Sequence, residues 1–294
     1  MFFIIPVGVD YRTERYPLVT FIFMGINTLV YAIAFLVFLS GGVEAEISMV
    51  KALGLTPASL RLHNLFTSLF THTEFFHLLG NMIYLFLFGA CVEDLLGRWK
   101  FVWFYLAGGL ASDAVHVLVS LASGSGDMPL IGASGAISAC IGGFVLLLSH
   151  TKINVRWVFW LFRVWSGDFW LPAWLVISFW FVKDLFSAAL TLAAEAEGGG
   201  VAFAAHVGGF LGGLAIIALR RKLRARSAPG PAGVASQVGQ RAASAPVVRV
   251  RTSAIFLSDH GVQSGPFTRA QIHHMLAEGT VSPGTFYWHE GMPG

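Results

Sequence analysis

The sequence predicts an all-helical (all-α) polytopic membrane protein with six transmembrane spans, followed by a small cytoplasmic C-terminal domain. Three observations carry that class. Hydrophobic residues make up 55% of the 294, and only 12% are charged, against about 25% charged in an ordinary soluble domain. Mean hydropathy is +0.69. Residues 18–39 carry no charge and are long enough to cross a bilayer, which takes about 20 apolar residues. Such a balance excludes a disordered chain and disfavours a cytosolic enzyme. An excess of 19 basic over 16 acidic residues could suggest nucleic acid. The basic residues sit beside apolar spans, however, so the lipid bilayer is the expected partner and nucleic acid is not. Cys91 and Cys140 both lie in apolar runs. They offer neither a disulfide framework nor a zinc-ligand spacing, and no metal or cofactor is expected.

After span one come five similar stretches, at about 75–92, 101–122, 133–150, 169–194 and 198–219. The third contains Asp113 and His116, the fifth Lys183 and Asp184. Span one is not read as a cleaved signal peptide. The segment before it lacks a compact basic region, and acidic residues follow Gly41 and Gly42. Lys and Arg set the orientation. Arg12 and Arg15, Arg98 and Lys100, then Lys152, Arg156 and Arg163, and finally Arg220–Arg226 all fall on one side of a six-span chain. Both termini are therefore expected in the cytoplasm, with the protein in a bacterial inner membrane. The first outer loop is expected over about 40–68. Residues 227–251, rich in Ala, Gly, Ser, Pro and Gln at their start, read as a flexible linker. The predicted organisation is a membrane domain over 1–226, that linker, and a module over 252–294 with a helix at Thr268–Glu278.

Polar groups inside a span are expensive and are candidate functional residues. In span two His77 and Asn81 are four apart and share a helical face; hydrogen bonding between helices is the plainer explanation. His72, near the mouth of that span, reads as interfacial. Span four opens Gly132-Ala133-Ser134-Gly135, which places Ser134 where unpaired backbone N–H groups can hold negative charge. By itself this motif is weak, and a serine cap in tight packing is its plain alternative. Span six carries His206, with Gly209 and Gly213 on its face. Ser134, Ser138 and Gly142 form a matching small-residue face on span four, so close approach could bring Ser134 to His206. Counting from the first cytoplasmic charge at about 1.5 Å per residue, Ser134, His206, His77 and Asn81 lie about 27, 21, 24 and 18 Å deep. They share one level in the outer half of the membrane.

A serine hydroxyl needs a base to take its proton, and His206 is the candidate. Asn81, His77 and the Ser134 backbone N–H are candidate oxyanion donors, each worth about 3 kcal/mol of barrier. The sequence offers no evident acid partner for His206, and neither Asp113 nor Asp184 is assigned one. The expected unit is a dyad. His72, His77, Asn81, Ser134 and Ser138 would line a wet pocket open to the outside. The matching substrate is a membrane protein whose span unwinds near its outer end. A non-proteolytic binder of transmembrane helices is the main alternative. A solute channel has little support, because no inverted repeat is evident.

These residues resemble the rhomboid intramembrane serine proteases. The resemblance covers about residues 5–222 and rests on Phe70-Thr71-His72, His77-Leu78-Leu79-Gly80-Asn81, Phe88-Gly89, Glu93, Gly132-Ala133-Ser134-Gly135 and Ala205-His206-Val207-Gly208-Gly209. It implies a six-helix bundle with Ser134 as nucleophile and His206 as base. His77 and Asn81 would sit in the oxyanion site, and the substrates would be single-span membrane proteins. Supporting positions are His72, Gly132, Gly135, Ser138 and Gly209. Two departures stand out. Some members place an aromatic four residues after the nucleophile, where this chain has Ser138, so another group must orient His206. The first outer loop also lacks a Trp-Arg pair found in some members. Residues 254–294 are similar to a GYF-like domain through Gly265-Pro266-Phe267 and Trp288-His289-Glu290-Gly291-Met292. That likeness implies a small α+β fold binding proline-rich or extended peptides, with a further aromatic expected just past Gly294.

Overall fold

The longest charge-free run becomes the longest helix. In the computed structural model α1 spans Leu18–Leu53, with Gly42 at φ 65° kinking it. The described residues are 2–193, 199–227, 255–259, 262–281 and 285–289. Helices α2 (Phe75–Leu96, with a π-helical turn at Leu85–Gly89) and α3 (Arg98–Ala122) follow. Then come α4 (Ser134–Leu147), α5 (Ala173–Ala193) and α6 (Gly199–Ser227). Among the described residues, α1, α2, α3 and the Phe203–Arg226 part of α6 are long and apolar enough to cross a membrane.

The expected outer loop at 40–68 is corrected by α1, which continues past Gly42 to Leu53. Gly42 supplies the positive φ that a kink needs without ending the helix. Glu44, Ala45, Glu46 and Met49 are good helix formers beyond it. The start of α1 has no side-chain cap of its own. Glu93, buried on α2, serves instead: its carboxylate accepts from the Val19 N–H (3.0 Å), the Thr20 N–H (2.7 Å) and the Thr20 hydroxyl (2.8 Å). The neighbouring Asp94 accepts from the Tyr11 hydroxyl at 2.7 Å and the backbone N–H groups of Glu14 and Arg15. Burial, and then the Asp94 carboxylate, push the Tyr11 phenol above its ordinary value.

Helix α4 is the core of this unit, with every residue from Gly135 to Phe144 buried. It packs between α3 and α6. Glycine makes the α4–α6 seam possible. A Cβ on Gly209 would strike the Gly135 carbonyl, and one on Gly213 the Ala139 carbonyl. With no side chain there, the backbones meet directly.

The all-helical expectation for this unit is also corrected. Residues 152–172 form a hairpin, β2 (Lys152–Trp160) and β3 (Val164–Pro172), and the N-terminal strand β1 (Phe2–Val9) pairs antiparallel with β2. Alternation explains β2: Ile153 and Val155 are buried, while Lys152 and Arg156 are exposed. Arg156 donates two hydrogen bonds to Asp168 across the hairpin, at 2.7 and 2.8 Å. The fifth apolar stretch thus begins as strand, and its helix starts at Ala173 rather than 169.

A second unit, Ala228–Gly294, is separate in its contacts. Its described residues form strands β4 (Ile255–Asp259), β5 (Val262–Phe267) and β6 (Phe286–His289) in an antiparallel sheet of order β5-β4-β6, with helix α7 at Arg269–Ala277. Thr268 and Gln271 cap α7 reciprocally, which fixes its start one residue into the expected stretch. Most of the expected linker (228–251) and Glu290–Met292 lie outside the described residues.

Candidate active site

Ser134 is the first residue of α4, at the end of the 14-residue helix. A helix of that length rises only about 21 Å, short of a hydrocarbon core about 30 Å thick. The Ser134 hydroxyl lies 2.9 Å from His206 Nε2. His206 stands three residues before Gly209 on α6, so the glycine seam that joins α4 to α6 brings its ring to the serine.

The other ring nitrogen of His206, Nδ1, lies 3.1 Å from Asp184 Oδ2 on α5. The sequence reading found no acid partner; the structure supplies one from the span in which a buried acid was noticed but left without a role. Asp184 is 3% exposed, and its other oxygen lies 2.6 Å from Lys183 Nζ. Asp113, the other candidate acid, is buried on α3 with no hydrogen bond to the site. Spacing gave a faint signal for Asp184, since Trp180 lies one turn before it. The Trp180 ring stacks on His206 (centroids 6.3 Å apart, planes at 23°) and Phe203 meets it edge-on at 6.2 Å. Aromatic support thus comes from α5 and α6. Ser138 is turned away from the ring and donates to the Ser134 carbonyl at 2.7 Å.

The other wall belongs to α2. Asn81 Nδ2 lies 2.7 Å from His72 Nε2, and the Ala133 N–H points to the same nitrogen at 3.4 Å. Accepting from both, His72 fixes the Asn81 amide and leaves its second N–H free to donate. His72, read from the sequence as interfacial, is fully buried within the protein, behind Asn81. His77 lies against the loop before Ser134. Gly132, at φ 111°, permits this, since a Cβ there would lie 2.8 Å from the His77 ring. A cavity of about 270 Å³ opens between these walls, lined by His77, Asn81, Ser134, Ser138, Trp180 and His206 among others. Among the described residues no group of three or more His, Cys, Asp or Glu side chains could hold a metal. Such an arrangement can activate a hydroxyl against a carbonyl and receive an oxyanion beside it.

Comparison with known proteins shows which family the chain belongs to. A family model for the Rhomboid domain matches residues 59–223, and one for GYF domain 2 matches residues 256–294. The chain is 35% identical over 109 residues to the presenilin-associated rhomboid-like protein, mitochondrial, of Mus musculus, covering 37% of this chain and 29% of that one. It is 29% identical over 145 residues to the rhomboid protease GluP of Bacillus subtilis (48% and 27%). Over 90 residues it is 39% identical to rhomboid protein 1, mitochondrial, of Saccharomyces cerevisiae (29% and 25%). The aligned parts span between about a quarter and three tenths of these relatives. The Rhomboid match extends over more than half of the 294 residues, from the helical turns before α2 to the basic end of α6, and encloses the whole cavity. With several helices suited to a bilayer and that match around them, the chain is an integral membrane protein of the rhomboid family.

Proposed function

We propose that this protein is an intramembrane serine endopeptidase that hydrolyses peptide bonds in or near the transmembrane segments of single-span membrane proteins. The observation that carries the reading is the 2.9 Å approach of the Ser134 hydroxyl to His206 Nε2 beside a cavity with amide and imidazole donors. His206 Nε2 takes the hydroxyl proton as Ser134 Oγ attacks the scissile carbonyl carbon. The oxyanion is met by the Asn81 amide, the His77 ring and the Ser134 backbone N–H. The proton then passes to the leaving amine, the C–N bond breaks, and an ester remains on Ser134. Water, deprotonated by the same nitrogen, cleaves that ester and restores the hydroxyl. Water reaches the half-buried Ser134 through the cavity that it lines.

The protease occupies residues 1–226, crosses the bilayer six times and keeps both termini in the cytoplasm of a bacterial cell. The Bacillus subtilis protease GluP fits that setting, whereas the mouse and yeast relatives are mitochondrial by name. Residues 227–251 tether a module over 252–294 that takes a proline-rich or extended peptide, as its match to GYF domain 2 supports. Cleavage of a labelled single-span substrate by the purified protein in lipid tests the reading. Wild type cleaves and Ser134→Ala does not. Wild type that binds the substrate without cutting it favours a binder of transmembrane helices.

A further inference from the structure

His206 has two ring nitrogens, and the proposed reaction uses only Nε2. We propose that Asp184 is a positioning residue for that histidine, so that the working unit is a row of three, Ser134–His206–Asp184, rather than a pair. This rests on the protease reading. Neutral imidazole carries its proton on one nitrogen only. A carboxylate beside Nδ1 is a hydrogen-bond acceptor, so Asp184 Oδ2 at 3.1 Å selects the form with Nδ1–H. That form leaves Nε2 bare toward the Ser134 hydroxyl at 2.9 Å. It is the only neutral form in which the ring can take the serine proton. In the opposite form Nε2–H would face the serine, and Nδ1 and the carboxylate would stand as two acceptors in contact.

Three further features fit a carboxylate held for this purpose. Asp184 is 3% exposed, so it loses little orientation to water, and Lys183 Nζ at 2.6 Å from Oδ1 offsets its charge while leaving Oδ2 to the imidazole. Lys183 is itself steadied, lying 5.5 Å over the Phe203 ring. Trp180, one turn before Asp184 on α5, covers the face of the same imidazole. Helix α5 thus holds His206 by its edge and its face, while position 138, where an aromatic could have stood, carries a serine bonded to backbone. The other titratable groups facing the pair are His77 and Tyr84 from α2, and among the described residues neither hydrogen-bonds to the His206 ring.

Two measurements on the full chain test this. Steady-state cleavage by Asp184→Asn should show kcat reduced by at least about tenfold with KM nearly unchanged, as for a lost tautomer anchor, and Asp184→Glu should recover part of the loss. A purely structural ion pair with Lys183 would move KM, yield or melting instead. Independently, 15N shifts of the His206 ring in the wild-type protein, assigned by their loss in His206→Ala, should report a proton on Nδ1. That reading needs neither a folded variant nor activity. A proton on Nε2, or an Asp184→Asn variant cleaving within twofold of wild type, overturns the proposal and leaves the Ser134–His206 reading standing. Wild type no more active than Ser134→Ala overturns the protease reading instead, while the ring shifts still decide the Asp184–His206 bond.

Discussion

The groups that would meet the substrate carry different burdens, and their removal should separate them. Asn81→Ala removes a donor that His72 has already oriented. A fall in kcat of about 10²- to 10³-fold is expected, with little change in KM, measured on a labelled single-span substrate. Gly209→Val should act differently. Its side chain would enter the Gly135 backbone and force α6 off α4, separating His206 from Ser134; both activity and thermal stability should fall. Most of these residues were legible in the sequence because a serine, imidazole or amide in an apolar run stands out by its cost. Asp184 stood out equally, yet its partner did not. Which acid reaches His206 depends on how α5 lies against α6, and no periodicity encodes that. The burial of His72 was hidden for the same reason: its position near a span end says nothing of Ala133 and Asn81 closing over it.

Helices were read from runs of apolar residues, and those runs placed all of α1 to α6 to within a few residues at most ends. The extension of α1 and the β hairpin were missed because both lie where apolar composition changes gradually. Aromatic residues at 157–170 serve a strand as well as a span, and the alternation of Ile153 and Val155 was the one local signal for a strand. Five of the nine tryptophans, Trp157, Trp160, Trp165, Trp170 and Trp174, lie in or beside this hairpin, and Phe162 at its tip is 96% exposed. Edge strands keep unpaired backbone groups, so such a hairpin suits the membrane–water interface rather than the hydrocarbon. A spin label at Phe162→Cys in vesicles should be reached by oxygen more than by a water-soluble nickel reagent; the reverse would place the tip in water. Arg156 holds the Asp168 carboxyl below the usual carboxylate range. A depressed carboxylate stabilises above its unfolded value and loses that contribution as pH falls, so hydrogen-exchange protection in β2 and β3 should drop below about pH 4. At the other end of the fold, Glu93→Ala leaves three donors at the start of α1 without their acceptor. A loss of about 2–4 kcal/mol is expected in equilibrium unfolding.

At the level of the whole molecule, apolar composition announced a membrane protein, and the Rhomboid match with several bilayer-suited helices bears that out. The division at Ser227 follows from a change of composition that needs no structure to see. What composition could not supply is the direct seating of α6 on α4 through the glycine seam. That seam brings one hydroxyl, among many in the chain, to an imidazole. The most direct test is reaction of the full-length protein in lipid vesicles with a fluorophosphonate probe, followed by peptide mapping. A covalent adduct on Ser134, lost in His206→Ala, is the predicted result; a wild-type protein that stays unlabelled, or labels equally fast without the histidine, would contradict it.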